Sequence, residues 1–275
     1  MEMIHTRLDE RTAWITLDRP PLNILNIAMM RELDAAVADA AKRCDFLVLQ
    51  GAGPHGFSSG AEIGDHTPGR VGKMLSAFHQ IFRRLARADC ATLAAVNGIC
   101  LGGGLELATF CDFVVAGEDA TFGQPEIKLG CFPPVAMLIL PDLCGMRVAM
   151  DLILTGRTIG AREAERFGIV SRVAGPGDAA NGTMVLISEL RKNSPEVLRL
   201  TRRTLWRLNA SEFERKLRQV ERVYLRELMR THDAREGIQA FLERRQPAWQ
   251  PTLPSASSKK QYGARRGKKT GKAAR

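Results

Sequence analysis

Residues Ala91 to Ala116 read ATLAAV-NG-ICL-GGG-LELA-TFCD-FVVA, and the fold is decided by how this stretch is read. Ala91–Val96 is short, apolar and bounded by the turn signal Asn97-Gly98, which makes it a buried strand. The run Gly102-Gly103-Gly104 then opens a helix carrying Leu105, Glu106 and Leu107. Phe113-Val-Val-Ala116 is a second buried strand. Strand–helix alternation of this kind predicts an α/β layered fold.

Working outward, the same alternation continues. Phe46-Leu-Val-Leu-Gln50 reads as a buried strand closed by Gly51-Ala-Gly-Pro54. Helical spacing of Met29, Met30, Leu33, Val37 and Ala40 predicts a helix over 26–41, and Leu75, Phe78, Ile81, Phe82 and Leu85 predict one over 71–87. Ile4 to Leu17 reads as a strand pair turning at Asp9-Glu-Arg, ended by Pro20-Pro21. Val135 to Leu140 reads as buried core. Beyond Arg147 helices dominate, expected at 161–168, 185–193, 195–206, 211–230 and 233–245. Their mixed polarity points to a subunit interface.

The chain has 275 residues, 45% hydrophobic and 25% charged, enough for one large core. No apolar run is long enough to cross a bilayer and no signal pattern opens the chain, so a cytoplasmic location is expected. Six cysteines without a CxxC pair, and no histidine cluster at zinc spacing, read as reduced, buried thiols. The net charge of +10 is concentrated. Eight Lys/Arg and no acids lie in 255–275, and without them the balance is +2. That Ser/Gly/Lys-rich tail, 251–275, reads as disordered and solvated; weak anion or RNA binding is the alternative.

Three segments carry chemistry: Phe57-Ser-Ser-Gly-Ala-Glu-Ile63, Asn97 to Ala108, and Phe122-Gly-Gln-Pro-Glu-Ile-Lys-Leu-Gly130. A glycine run at a helix start frees backbone N–H groups and sets a positive dipole end beside them. A thioester oxygen gains negative charge when a nucleophile adds at the β-carbon, and fixed N–H donors there lower the barrier. Glu106, in the first turn of that helix, reaches the same place. Glu126 falls on an expected loop. Two carboxylates on one substrate can take a proton from water and supply one to the α-carbon.

Together these segments closely resemble the enoyl-CoA hydratase/isomerase (crotonase) superfamily, from about Ile4 to Trp249. The resemblance implies a spiral of ββα units over 1–195, a helical trimerisation region over 196–250, and trimers that pair as hexamers. It implies an acyl-CoA thioester as substrate, with coenzyme A part of that substrate and no metal or redox cofactor. By motif position Ala61 and Gly103 correspond to the oxyanion-hole donors, and Glu106 and Glu126 to the catalytic pair of hydratases. Leu22 and Ile24 resemble the segment lining the CoA adenine site; Ser59, Gly60, Ile63 and Gly102 fall within the substrate-binding motifs. Phe241 and Arg244 match the final-helix motif that reaches CoA, often in a neighbouring subunit.

The chain departs from the family pattern after the second glutamate. Typical hydratases carry a Pro-Gly-Ala-Gly-Gly-type loop, where this sequence has Cys131-Phe-Pro-Pro-Val-Ala-Met-Leu138. Pro134 replaces a glycine whose N–H helps position water, and proline has no N–H to donate. Pro133 and Pro134 therefore stand for a reshaped acyl pocket. With Met29-Met30 they resemble the hydratases of cyclohexa-1,5-diene-1-carbonyl-CoA from anaerobic aromatic degradation. A general 2-enoyl-CoA hydratase or isomerase is the alternative. Glu62 stands where Asp is usual, and His66 reads as a surface or loop residue.

Overall fold

The computed structural model describes residues 2–250. The expected disordered tail, 251–275, lies outside the described residues.

β1 (Ile4–Asp9) and β2 (Thr12–Leu17) form an antiparallel hairpin, with Glu10 and Arg11 at φ of 43° and 62°. Two consecutive left-handed residues are what a tight hairpin turn requires. After α1 (Ile27–Ala40) one unit recurs three times: a long strand, a short strand, a helix. The first is β3 (Phe46–Gly51), β4 (Gly56–Ser58) and α2 (Val71–Arg87). The second is β5 (Ala91–Val96), β6 (Ile99–Leu101) and α3 (Gly103–Thr109), and the third β7 (Phe113–Gly117), β8 (Thr121–Gly123) and α4 (Ala136–Thr155). β9 (Thr158–Gly160), α5 (Ala161–Arg166), β10 (Arg172–Ala174), α6 (Ala179–Leu190), α7 (Pro195–Arg226) and α8 (His232–Leu242) complete the chain.

The long strands join in the order β1-β2-β3-β5-β7-β10, all parallel except β1 against β2. The short strands form a second sheet, β4-β6-β8-β9. The expected spiral of ββα units is therefore present. The inner strands β2, β3, β5 and β7 alternate between two covered faces. Leu47 and Leu49 enter the main core with Ile15, Ala94, Val96 and Val114. Phe46 and Val48 face the other way, onto Leu93, Val115 and Leu186 of α6. A parallel sheet covered on both faces needs apolar residues at nearly every position, hence the unbroken apolar runs.

Three helical expectations and one core expectation are corrected. Residues 195–206 and 211–230 are one helix, α7, capped by Ser194 and Pro195; the separate segment Leu228–Arg230 follows as a short 3-10 turn. Between the two expected segments, Asn209 donates back to Leu205 O at 2.9 Å and the helix continues. α6 begins at Ala179 rather than Val185. A Cβ on Gly182 would stand 2.7 Å from Ala174 Cβ, so glycine permits the close packing on the sheet. The last helix stops at Leu242, not Arg245. Val135–Leu140 is the entry to α4 and only partly core: Val135, Ala136 and Leu140 are buried, while Met137 is 41% exposed.

Along α4, Met146, Met150 and Leu154 are exposed too, as are Val197, Leu200, Leu205 and Leu208 on α7. Leu138, Ile139, Leu143, Leu205, Trp206 and Phe213 line a cavity of about 290 Å³ between these helices. Among the described residues no helix is long and apolar enough to cross a membrane.

Candidate active site

The first wall of the site is built by two backbone segments running side by side. Ser59 N donates to Leu22 O at 3.0 Å, Leu25 N to Gly60 O at 2.9 Å, and Glu62 N to Leu25 O at 3.0 Å. The segment holding Leu22 and Ile24 thus runs along the one holding Ser59, Gly60 and Ile63. Asn23 locks the pair. Buried at φ 50°, it donates through Nδ2 to Ala52 O at 2.9 Å and Gly56 O at 3.0 Å. Ser58 Oγ donates to Asn23 O at 2.7 Å and accepts from Gly60 N at 3.1 Å. Glu62 accepts from both terminal nitrogens of Arg19 at 3.0 Å, a tie that tolerates Glu for Asp.

The glycine run meets this wall. Gly102 is the N-cap of α3 at φ 52°, ψ −127°, a conformation essentially reserved for glycine. A Cβ on Gly60 would stand 3.1 Å from Gly103 N, and one on Gly103 would stand 3.4 Å from Ala61 N. The Ala61 and Gly103 amides are therefore neighbours. Among the described residues neither donates to a protein acceptor. Two free N–H groups at a helix start form an anion cradle.

The carboxylates converge on the same place. Glu106 is 2% exposed, and its Oε1 accepts from Val135 N at 2.6 Å and Ala136 N at 2.9 Å. Glu126 lies on a short 3-10 helix, Pro125–Leu129, rather than on a loop. Its Oε1 sits 2.7 Å from where a Cβ of Gly102 would be. Fully buried Gln124 sets its amide 3.1 and 3.0 Å from the two Glu126 oxygens, and the orientation that satisfies both groups has its NH2 donating. The two N–H groups that follow Pro133-Pro134 grip Glu106, and both prolines are buried.

Burial pushes the Glu106 carboxyl up to about 7, with the two N–H bonds working against the rise. Glu126 is pushed well above the usual carboxylate range by burial and by the charge of Glu106. Two such groups share one proton near neutral pH, as coupled carboxyls do. The N–H pair favours the anion at Glu106 and leaves the proton on Glu126.

A stability prediction follows with a definite sign. A carboxyl raised from 4.5 to about 7 on folding contributes stability that is full below pH 4.5 and lost as pH rises through 7. Glu106→Gln has no such loss. Its stability relative to the parent is expected to improve by on the order of 3 kcal/mol between pH 4 and pH 8. Denaturant unfolding at the two pH values checks this; a difference independent of pH would contradict it.

Phe241 and Arg244 are not brought to the glutamates. Both are exposed at the end of α8, where Arg244 takes φ 55° just beyond the helix. α8 itself packs on the chain's own site loops: a Cβ on Gly130 would meet Asp233 O, and one on Gly237 would meet Leu129 O. His66 is corrected. It is buried in the 3-10 turn Ile63–His66, its Nδ1 3.0 Å from Glu62 O, and burial lowers its pKa. Five cysteines are buried, Cys144 is half-buried, and all six are free. Sequence reasoning missed Asn23 and Gln124, which lie inside quoted motifs but act through backbone carbonyls and a neighbouring carboxylate. It also missed Tyr224, one of three aromatics in a highly charged helix.

A backbone anion cradle beside two buried carboxyls of unequal protonation is the arrangement of an acid/base enzyme acting on a carbonyl compound. Residues 8–252 match the enoyl-CoA hydratase/isomerase family model. The cyclohexa-1,5-dienecarbonyl-CoA hydratase of Thauera aromatica is 37% identical over 238 residues, covering 86% of this chain and 92% of that one. A short-chain-enoyl-CoA hydratase of Clostridium acetobutylicum is 32% identical, covering 89% and 97%. The crystal structure of an enoyl-CoA hydratase from Mycobacterium avium subsp. paratuberculosis superposes with a TM-score of 0.80 at 25% identity, covering 90% and 99%. The chain belongs to the enoyl-CoA hydratase/isomerase family, and it is a hydro-lyase of the enoyl-CoA hydratase type.

Proposed function

We propose that this enzyme adds water to the ring double bond of a cyclic dienoyl-CoA, cyclohexa-1,5-diene-1-carbonyl-CoA. The observation that carries the reading is the support of Glu106. Its Oε1 is saturated by Val135 and Ala136 N–H, and among the described residues Oε2 has no protein donor. Oε2 is thus free to hold a water and take its proton. Glu126, protonated, supplies the proton to the α-carbon. Ala61 and Gly103 hold the thioester oxygen as it gains charge. Leu22, Ile24, Ser59, Gly60, Ile63 and Gly102 line the path of the CoA ester. Phe241 and Arg244 reach CoA from the surface, in the same or an adjoining subunit.

The ring substrate is favoured by the stiff, buried Pro133-Pro134 corner and by the Thauera relative. The reaction needs no cofactor beyond the CoA already in the substrate. The exposed apolar faces of α4 and α7 suit a homotrimer or a hexamer, and the enzyme works in the cytoplasm.

The test is a panel of straight-chain and cyclic enoyl-CoA esters, read by mass for incorporated water. The cyclic diene is expected to give the highest kcat/KM. A preference for crotonyl-CoA would defeat the ring reading and leave a general enoyl-CoA hydratase. A shifted double bond without an 18 Da gain would mean isomerisation instead.

A further inference from the structure

Between Glu126 and Glu106 runs a connection with three anchors. Cys131 N donates to Glu126 O at 3.0 Å. Val135 and Ala136 N hold the Glu106 carboxylate. The middle is held by a residue distant in sequence. The ring of Phe132 meets the ring of Tyr224 edge-to-face, centroids 5.0 Å apart at 76°.

Tyr224 is 1% exposed, one of three buried residues in the 32-residue α7. The other two have local tasks. Arg202 is bonded to Asp112 and to the carbonyls at the end of α2, and Leu217 is ordinary core. Tyr224 instead reaches the site. Its ring packs on Phe132, next to Cys131 in the chain, and burial pushes its hydroxyl pKa up. Aromatic pairs of this geometry attract each other beyond their shared burial.

The geometry points to Tyr224 as a positioning residue: through Phe132 it fixes residues 131–136, and through them the placement of both glutamates. This rests on the acid/base reading above and adds a component from outside the three motifs. Pro133 and Pro134 make it effective. Their fixed φ angles transmit the position of Phe132 to the Val135 and Ala136 amides with little slack.

The experiment compares Tyr224→Leu, Tyr224→Phe and Phe132→Leu on whichever enoyl-CoA the parent hydrates. Tyr224→Leu removes the ring edge, and kcat is expected to fall by about 10²-fold with KM within threefold, as displaced catalytic groups do. Tyr224→Phe keeps the edge and is expected to recover most of that loss. Phe132→Leu removes the other ring and is expected to reproduce the kcat loss; in the Tyr224→Leu background it should add little. A purely structural role would lower the melting temperature without this split. Equal kcat in Tyr224→Leu, or a Tyr224→Phe variant as slow as Tyr224→Leu, overturns the inference. If Tyr224→Leu does not fold, Phe132→Leu decides alone, and unchanged kcat there overturns it. A parent that hydrates no ester refutes the proposed function, and this inference with it.

Discussion

Glu126→Gln is expected to slow water addition by roughly 10³–10⁴-fold while leaving affinity for a saturated acyl-CoA within a few-fold of the parent. Glutamine keeps the shape of the side chain but has no acidic proton for the α-carbon. The surroundings accept the change. Gln124 can donate to the new amide oxygen as it does to the carboxyl, so the Gln124 donor keeps an acceptor. Affinity is expected to be retained because the proposed holders of the ester, the Ala61 and Gly103 amides and the walls, are untouched by the substitution. Single-turnover hydration and calorimetric titration with butyryl-CoA measure the two quantities separately. Turnover within threefold of the parent would remove Glu126 from the mechanism. The same assay carries a pH dependence. Glu106 must be ionised to take a proton from water, so kcat/KM is expected to fall about tenfold per pH unit below about 7.

Gly102→Ala is the second large effect, and it arises from geometry alone. At φ 52°, ψ −127° an alanine is strained by about 1–3 kcal/mol. Its Cβ would also stand 2.7 Å from Glu126 Oε1. Either α3 shifts, which moves the Gly103 amide and Glu106, or Glu126 turns away from its contact with Gln124. Both routes misplace a catalytic group, so kcat is expected to fall by about 10²-fold or more. Thermal denaturation beside steady-state kinetics separates strain from displacement. A stable variant with kcat near that of the parent would mean that Glu126 does not work in the position the structure gives it.

Much of this site was legible because local rules and site chemistry coincide. A glycine run at a helix start, a carboxylate one turn on and a Ser-Ser-Gly-Ala motif state the chemistry in contiguous residues. The second sheet was less legible. β4, β6, β8 and β9 have three residues each, too few to display a period. His66 was misread because its burial depends on α8, which arrives from more than 160 residues away. The continuity of α7 across Asn209 was hidden because a residue that ends helices by capping also bonds back to the preceding turn.

The sequence by itself determined the α/β alternation, the family and the hydratase class, and singled out the two glutamates as candidates, because each follows from residue types at short, fixed spacings. Only the tertiary structure decided how those glutamates differ. The amides after Pro133-Pro134 bind Glu106, Gln124 faces Glu126, and Tyr224 leans on the segment between them. These are contacts across the chain among buried groups. Protonation there depends on burial and on which dipoles point inward, quantities that exist only once distant segments have met.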